Sequence, residues 1–379
     1  MRSLVVSGMA LIAATYGLAR FGYGLFLPRF ANAFQLDPVI SGLIQSGSFL
    51  SFCLAAVTAS RLAARPRLVV LCAGATATLG SLVVAGAPDA IVLALGVVLA
   101  GAGAGFATPG LVMLIERNVA PPRRESAQTI VNAGTGAGIV AAGIVMLLTI
   151  GQWRLGWLAF AILVALATIA TLRADQSAHQ RPPPPARAPI LAPLAFPISA
   201  AALAGASSAA IWTFGRTIMV ESRADGAMYS IIAWMVLGAF GVLGATAGRI
   251  AQASTLRTAW DVATSAMAAV TIGLAAAPGS PLLAGISVAV FGATYTAVCG
   301  VLIVWASRSL PCHAAQGTAM LFIALAVGQA IGAGLLGALM GSTTPLVAFT
   351  VAGILGFLAV LPATKRATAA PATGRQTCA

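Results

Sequence analysis

Thr15-Tyr-Gly-Leu-Ala-Arg20-Phe-Gly-Tyr-Gly-Leu-Phe-Leu-Pro28 sets an arginine inside an otherwise apolar run. Arg20 is the sole charge between Leu4 and Leu27. At 1.5 Å per helical residue it lies roughly 24 Å from the start of that run and roughly 11 Å from its end, whereas a snorkelling side chain sits near an end. An arginine at membrane depth costs about 2.5 to 3.5 kcal/mol on insertion scales, so it is expected to face protein or water and to have a task there. Arg20 is the first candidate for function.

Outward from this run the pattern repeats. Of the 379 residues 59% are hydrophobic and 8% charged, and the mean hydropathy is +0.97, values that exclude a soluble globular chain. Runs of about 20 apolar residues between charged or proline-containing breaks predict spans at 5–28, 38–60, 68–87, 90–115, 126–150 and 153–172. A second set follows at 194–220, 227–248, 258–277, 281–306, 316–341 and 344–362. Runs of this length predict helices, because strands crossing a bilayer need only about ten residues and alternate with a period of two. The fold class expected is an all-α membrane protein of 12 transmembrane helices in two pseudo-symmetric six-helix bundles.

A net charge of +13 suggests nucleic acid until its distribution is read. Of the 21 basic residues, Arg20 and Arg216 lie within spans, Arg29, Arg154 and Arg223 fall in loops of one side, and the remaining 16 fall on the other. That bias is a positive-inside signal and predicts both termini in the cytoplasm of a bacterial-type inner membrane. The charge serves topology, and no nucleic-acid partner is expected. Cys53, Cys72 and Cys299 lie in spans and Cys312 and Cys378 outside them, which matches neither a disulfide framework nor a metal site, and no cofactor is expected. Ala31-Asn-Ala33 imitates a signal-peptide cleavage site, but the run before it is too long and carries Arg20, so cleavage is not expected.

Pro182 to Pro185 cannot continue a helix and mark a linker. The expected organisation is an N-terminal six-helix bundle over 1–173, a cytoplasmic proline-rich linker over 174–193, a second bundle over 194–363 and a cytoplasmic tail over 364–379. Two echoes relate the halves. Thr58-Ala-Ser-Arg61 returns as Thr246-Ala-Gly-Arg249, and Tyr16, Arg20 and Tyr23 return as Trp212, Arg216 and Met219 with the same spacing of four and three.

The six-plus-six layout, the arginine loops after spans two and eight, and Ala19-Arg-Phe-Gly-Tyr-Gly-Leu-Phe-Leu-Pro28 together resemble the major facilitator superfamily. The last string, with Gly328-Gln-Ala-Ile-Gly332, resembles its YbfB/YjiJ branch. The resemblance implies helices one, four, seven and ten around a cavity, helices three, six, nine and twelve as outer supports, and gate loops carrying Arg61, Arg65 and Arg249. The loop around Arg61 lacks the aspartate usual in the superfamily, so a gating charge network is not implied. The strong polar groups agree with the cavity layout. Arg20, Gln45, Asn132, Arg216 and Gln329 fall on spans one, two, five, seven and eleven, and no amide or mid-span charge falls on the outer supports.

The candidate substrate-binding residues are Tyr16, Arg20, Tyr23, Gln45, Asn132, Trp212, Arg216 and Gln329. Tyr16, Arg20 and Tyr23 share one helical face through their spacing of four and three. Arg216 lies near the end of its span and has a snorkelling alternative, or a pairing with Glu221. Gln45 and Asn132 have interhelical hydrogen bonding as their alternative. Glycine strings at Gly101 to Gly105, Gly134 to Gly138 and Gly328 to Gly337 predict close helix packing, and no phosphate loop is present. Every acid maps to a loop or a span end, with Glu116 the nearest candidate for a coupling carboxylate and a helix-end ion pair its alternative. The expected function is a secondary or facilitative transporter of a small organic solute, anionic or polar, working by alternating access as a monomer in the lipid bilayer, with a proton as the optional coupling ion. A multidrug exporter of the same fold is the alternative. An enzyme is remote, because no nucleophile-base pair or metal ligand set lies at membrane depth.

Overall fold

In hydrocarbon every backbone polar group must be paired within its own segment, and the chain meets this demand with helices. The computed structural model describes residues 2–176, 192–246, 255–310 and 313–361. The first six helices are α1 (Arg2–Phe34), α2 (Pro38–Arg61), α3 (Pro66–Gly86), α4 (Ala90–Asn118), α5 (Pro121–Leu148) and α6 (Trp153–Ala174). The second six are α7 (Ala195–Glu221), α8 (Gly226–Thr246), α9 (Leu256–Ala276), α10 (Pro281–Ser309), α11 (Ala314–Ser342) and α12 (Pro345–Leu358). Eleven are long and apolar enough to cross a membrane, and α12 is a shorter apolar helix of 14 residues. Residues 177–191 of the linker expected at 174–193, Arg249, and the tail expected at 364–379 lie outside the described residues.

Local chemistry sets the helix starts. Proline opens α2, α3, α5, α10 and α12, where its missing N–H is no loss. The Asp37 carboxylate caps α2 by accepting from the Ile40 N–H at 2.7 Å, and Asp89 caps α4 by accepting from Ile91 and Val92 at 2.9 Å. Two of the span-end acids are thereby used up in capping.

α1 is not regular. Ala13–Arg20 winds as a π-helix, and the Phe21 N–H reaches back five residues to the Tyr16 carbonyl at 2.9 Å. The α geometry resumes at Gly22 and runs through Pro28 to Gln35, whose φ of 53° ends the helix in the left-handed region.

Glycine sets the helix spacing. A methyl group at Gly134 or Gly138 on α5 would overlap the Met9 or Ala13 carbonyl oxygen on α1. On α11, Gly328 and Gly332 stand in the same relation to the carbonyls of Ala202 and Ala206 on α7. The two halves thus repeat one another in helix contacts. By these contacts the Met9–Ala13 stretch of α1 corresponds to the Ala202–Ala206 stretch of α7.

The halves meet along α2 and α11, α5 and α8, and α1 and α7. α1 reaches α7 through its Gly22–Phe34 portion, where Gly24 lies against the Trp212 carbonyl. α2 and α11 lie close at Gly42 and Gly337, which face the Ala333 and Pro38 carbonyls. Both contacts lie beyond Arg20, toward the α1–α2 loop.

Candidate functional site around Arg20

Arg20 closes the π segment of α1 and is 3% exposed, well inside the protein. Its guanidinium carbon lies 4.0 Å from the Phe52 ring centre, 5.2 Å from Phe49, 5.3 Å from Phe21 and 5.6 Å from Tyr16. Ring quadrupoles stabilise the cation there without neutralising it. Its Nη2 donates to the Gln329 Oε1 at 3.0 Å, and its Nε is buried without a partner among the described residues.

Gln329 carries the contact into the second half. Its Nε2 donates to the Ser208 hydroxyl at 3.3 Å and the Tyr295 hydroxyl at 3.1 Å. Tyr16 shares a 2.8 Å hydrogen bond with Thr108 on α4, and both Tyr16 and Tyr295 keep part of their surface exposed. Trp212 stacks on Phe21 at 4.0 Å and meets Tyr295 edge-on at 5.1 Å. Tyr16, Arg20, Trp212 and Gln329 are therefore brought together. Thr108, Ser208 and Tyr295 complete the arrangement, and the sequence reading missed them because an isolated hydroxyl in an apolar span carries no periodic signal.

Other candidates stand apart. The Tyr23 hydroxyl donates to the Ser41 carbonyl at 3.0 Å and its ring stacks on Phe30, away from the rings that surround Arg20. Gln45 is buried on α2 with its Oε1 unpartnered among the described residues. The Asn132 Oδ1 accepts from Gln128 one turn earlier on α5, at 3.1 Å. Arg216 is 1% exposed, so it does not snorkel. It donates from Nε to Ser230 at 3.1 Å, from Nη1 to the Leu25 carbonyl and from Nη2 to the Ala227 carbonyl at 3.4 Å, while Glu221 is exposed. Arg216 ties α7 and α8 to α1 and its donors are committed.

Glu116 is exposed, and its neighbour Arg117 pairs with Asp175 rather than with it. Arg61 and Arg65 are exposed at the end of α2 and in the loop after it. The Asp175 side chain is fully buried at the end of α6, paired with Arg117 and with Arg67 at 3.3 Å, and accepting from Asn118 at 2.9 Å. This cluster joins the ends of α3, α4 and α6. The remaining ion pairs among the described residues are Arg223 with Asp225 and Arg257 with Asp261. Arg20 has no carboxylate partner among them, so the centre of the protein carries an uncompensated positive charge.

Comparison with known proteins agrees with this architecture. The sequence profile described as Major Facilitator Superfamily matches residues 9–333. Among solved structures, the chain is similar to a point mutant of the nucleoside transporter NupG, with 14% identity, a TM-score of 0.73, and 96% of this chain and 98% of that chain covered. It is also similar to a POT family transporter in complex with a thioalcohol-conjugated peptide, with 13% identity, a TM-score of 0.76 and 95% of each chain covered. A bacterial homologue of the human lysosomal transporter Spinster, in an inward-facing and occupied conformation, matches at 16% identity and a TM-score of 0.67, over 96% of this chain and 94% of that one. No sequence match was found among curated proteins. At these identities the likeness shows the fold, while the profile spans most of the chain, and the protein is a member of the Major Facilitator Superfamily.

Proposed function

We propose that the protein moves a small organic solute, anionic or polar, across a bacterial-type inner membrane by alternating access, with its central site at Arg20. The observation that carries this reading is the buried guanidinium of Arg20, shared between the halves through Gln329 and without a carboxylate partner among the described residues. An anion is the ligand that such a centre lacks. Seams at Gly24 with Trp212 and at Gly42 with Gly337 bring the halves together on the α1–α2 loop side of Arg20, and a contact of Gly136 with Gly238 and Val242 brings them together on the Arg2 side, so the site lies between two seams where alternating access would open one or the other. Within the superfamily, Ala19 to Pro28 and Gly328 to Gly332 favour the YbfB/YjiJ branch. No described acid lies at the centre, which favours uniport or exchange over a central proton carrier.

Uptake into proteoliposomes tests this. Wild-type protein should show saturable uptake of at least one carboxylate from a panel of carboxylates, sugars, amino acids and lipophilic cations. Arg20→Gln should lose it. Saturable uptake of lipophilic cations alone, unchanged in Arg20→Gln, would replace this reading with a multidrug exporter.

A further inference from the structure

The Arg20 guanidinium offers a ligand its edge. Phe52, Phe49, Phe21 and Tyr16 gather about it at 4.0 to 5.6 Å, so a partner is best placed to approach in the guanidinium plane. The edge in question is the one formed by Nε and Nη2. Elsewhere in this chain the same edge holds a carboxylate. Arg223 donates from Nε to Asp225 Oδ1 at 2.6 Å and from Nη2 to Oδ2 at 2.8 Å. Arg117 donates from Nε to Asp175 Oδ1 at 3.1 Å and from Nη2 to Oδ2.

At Arg20 only half of this fork is filled. Nη2 holds the Gln329 amide oxygen at 3.0 Å, and Nε is buried without a partner among the described residues. Leaving a buried donor unmet costs about 1 to 3 kcal/mol, and more when it is charged. A carboxylate satisfies both positions with two parallel charge-assisted bonds, which one amide oxygen does not do.

We propose that Gln329 is a placeholder for the carboxylate of a small monocarboxylic acid, which takes Nε and Nη2 of Arg20 together and displaces the amide oxygen. This rests on the reading of Arg20 as the central site. One negative charge is called for, because Arg216, the other arginine within a span, is already committed to Ser230 and to the Leu25 and Ala227 carbonyls. A second carboxylate on the ligand would be buried without a counter-ion. The displacement also has a mechanical result. Ser208 on α7 and Tyr295 on α10 both hold the Gln329 amide from within the second half, so removing its oxygen from Arg20 unties α1 from α11 while Gln329 stays in place.

The test is equilibrium binding to the purified full chain in nanodiscs. The probes are lactate, hexanoate and benzoate, their three primary amides, and succinate and phthalate. In the wild type at least one monocarboxylate should bind at least about tenfold more tightly than its amide and than either dicarboxylate, the ratio that one charge-assisted bond supplies. Gln329→Glu installs an internal carboxylate and should abolish that binding while melting no lower than wild type. Gln329→Ala should tighten it. Equal binding of acid and amide, undiminished binding to folded Gln329→Glu, or no monocarboxylate binding at all would overturn the placeholder. The acid-to-amide comparison needs no variant, so a misfolded variant leaves the test intact. If an uncharged solute is transported by wild type and lost in Arg20→Gln while no monocarboxylate binds, the placeholder falls and the central site stands. Transport that survives Arg20→Gln removes both.

Discussion

Arg20 and Gln329 are 309 positions apart in sequence and 3.0 Å apart in space, joined by a hydrogen bond between the first helix of one half and the fifth helix of the other. The bond is buried, involves a full charge on one side only, and lies where two pseudo-symmetric bundles meet. A charged group in such a position is costly unless a further partner arrives, which is the reason the proposed solute site is placed at this pair. Arg216 offers a contrast within the same molecule. It is as deeply buried, but two main-chain carbonyls and a hydroxyl occupy it, so its role is to hold helices together.

That role has a measurable consequence. Arg216→Met keeps the bulk of the side chain but removes its bond to the Leu25 carbonyl on α1. A hydrogen bond to a charged group is worth about 1.5 to 3 kcal/mol, so the state closed on the α1–α2 loop side should lose about tenfold or more in population relative to the opposite state. Spin labels at Asn32 and Ala224, both exposed near that side, should report a new, longer distance population in the variant.

Gly24 makes a separate prediction about the same seam. A side chain there meets the Trp212 carbonyl at once, and Trp234 lies 3.4 Å from the position of its first carbon. Gly24→Val should lower stability by about 1 to 3 kcal/mol, the usual cost of overpacking, as read from the melting temperature of the purified protein. A substitution at Gly285, which has open space around it, should leave the melting temperature near wild type.

Asp175 is fully buried between Arg67, Arg117 and Asn118. Asp175→Asn removes the negative charge to which Arg117 and Arg67 both donate. Breaking a buried pair from one side costs about 3 to 5 kcal/mol, so this variant should melt well below wild type. Asp225→Asn breaks an exposed pair and should change the melting temperature little.

Much of this architecture is written locally. Apolar runs separated by Asp37-Pro38, Ser280-Pro281 and Thr344-Pro345 place helix starts within a residue or two, because a cap and a proline act on the turn that follows them. The glycine strings predict close packing, and Gly134, Gly138, Gly328 and Gly332 are where carbonyls of a neighbouring helix approach. Arg20 is legible as a buried charge from its depth alone. Three features are not legible. The π winding of Ala13–Arg20 departs from the 3.6-residue period without any mark in the residue types, and Tyr23, one turn beyond it, turns to Ser41 rather than to the surroundings of Arg20. The match of Met9 and Ala13 on α1 with Ala202 and Ala206 on α7 rests on which glycine meets which carbonyl, a tertiary approach that side-chain spacing does not carry. Asp175 reads as a loop acid until three helix ends converge on it, and convergence is a tertiary fact with no local trace.

The most direct test of Arg20 as the central site is thermal stabilisation of purified wild-type protein and Arg20→Ala by carboxylates, sugars, amino acids and lipophilic cations. A ligand at about 100 times its dissociation constant stabilises the state that binds it by about 2.7 kcal/mol, enough to raise the melting temperature measurably. The account predicts that a carboxylate stabilises the wild type and has no effect on Arg20→Ala. Stabilisation by lipophilic cations that is equal in both proteins would contradict it and leave Arg20 a structural residue.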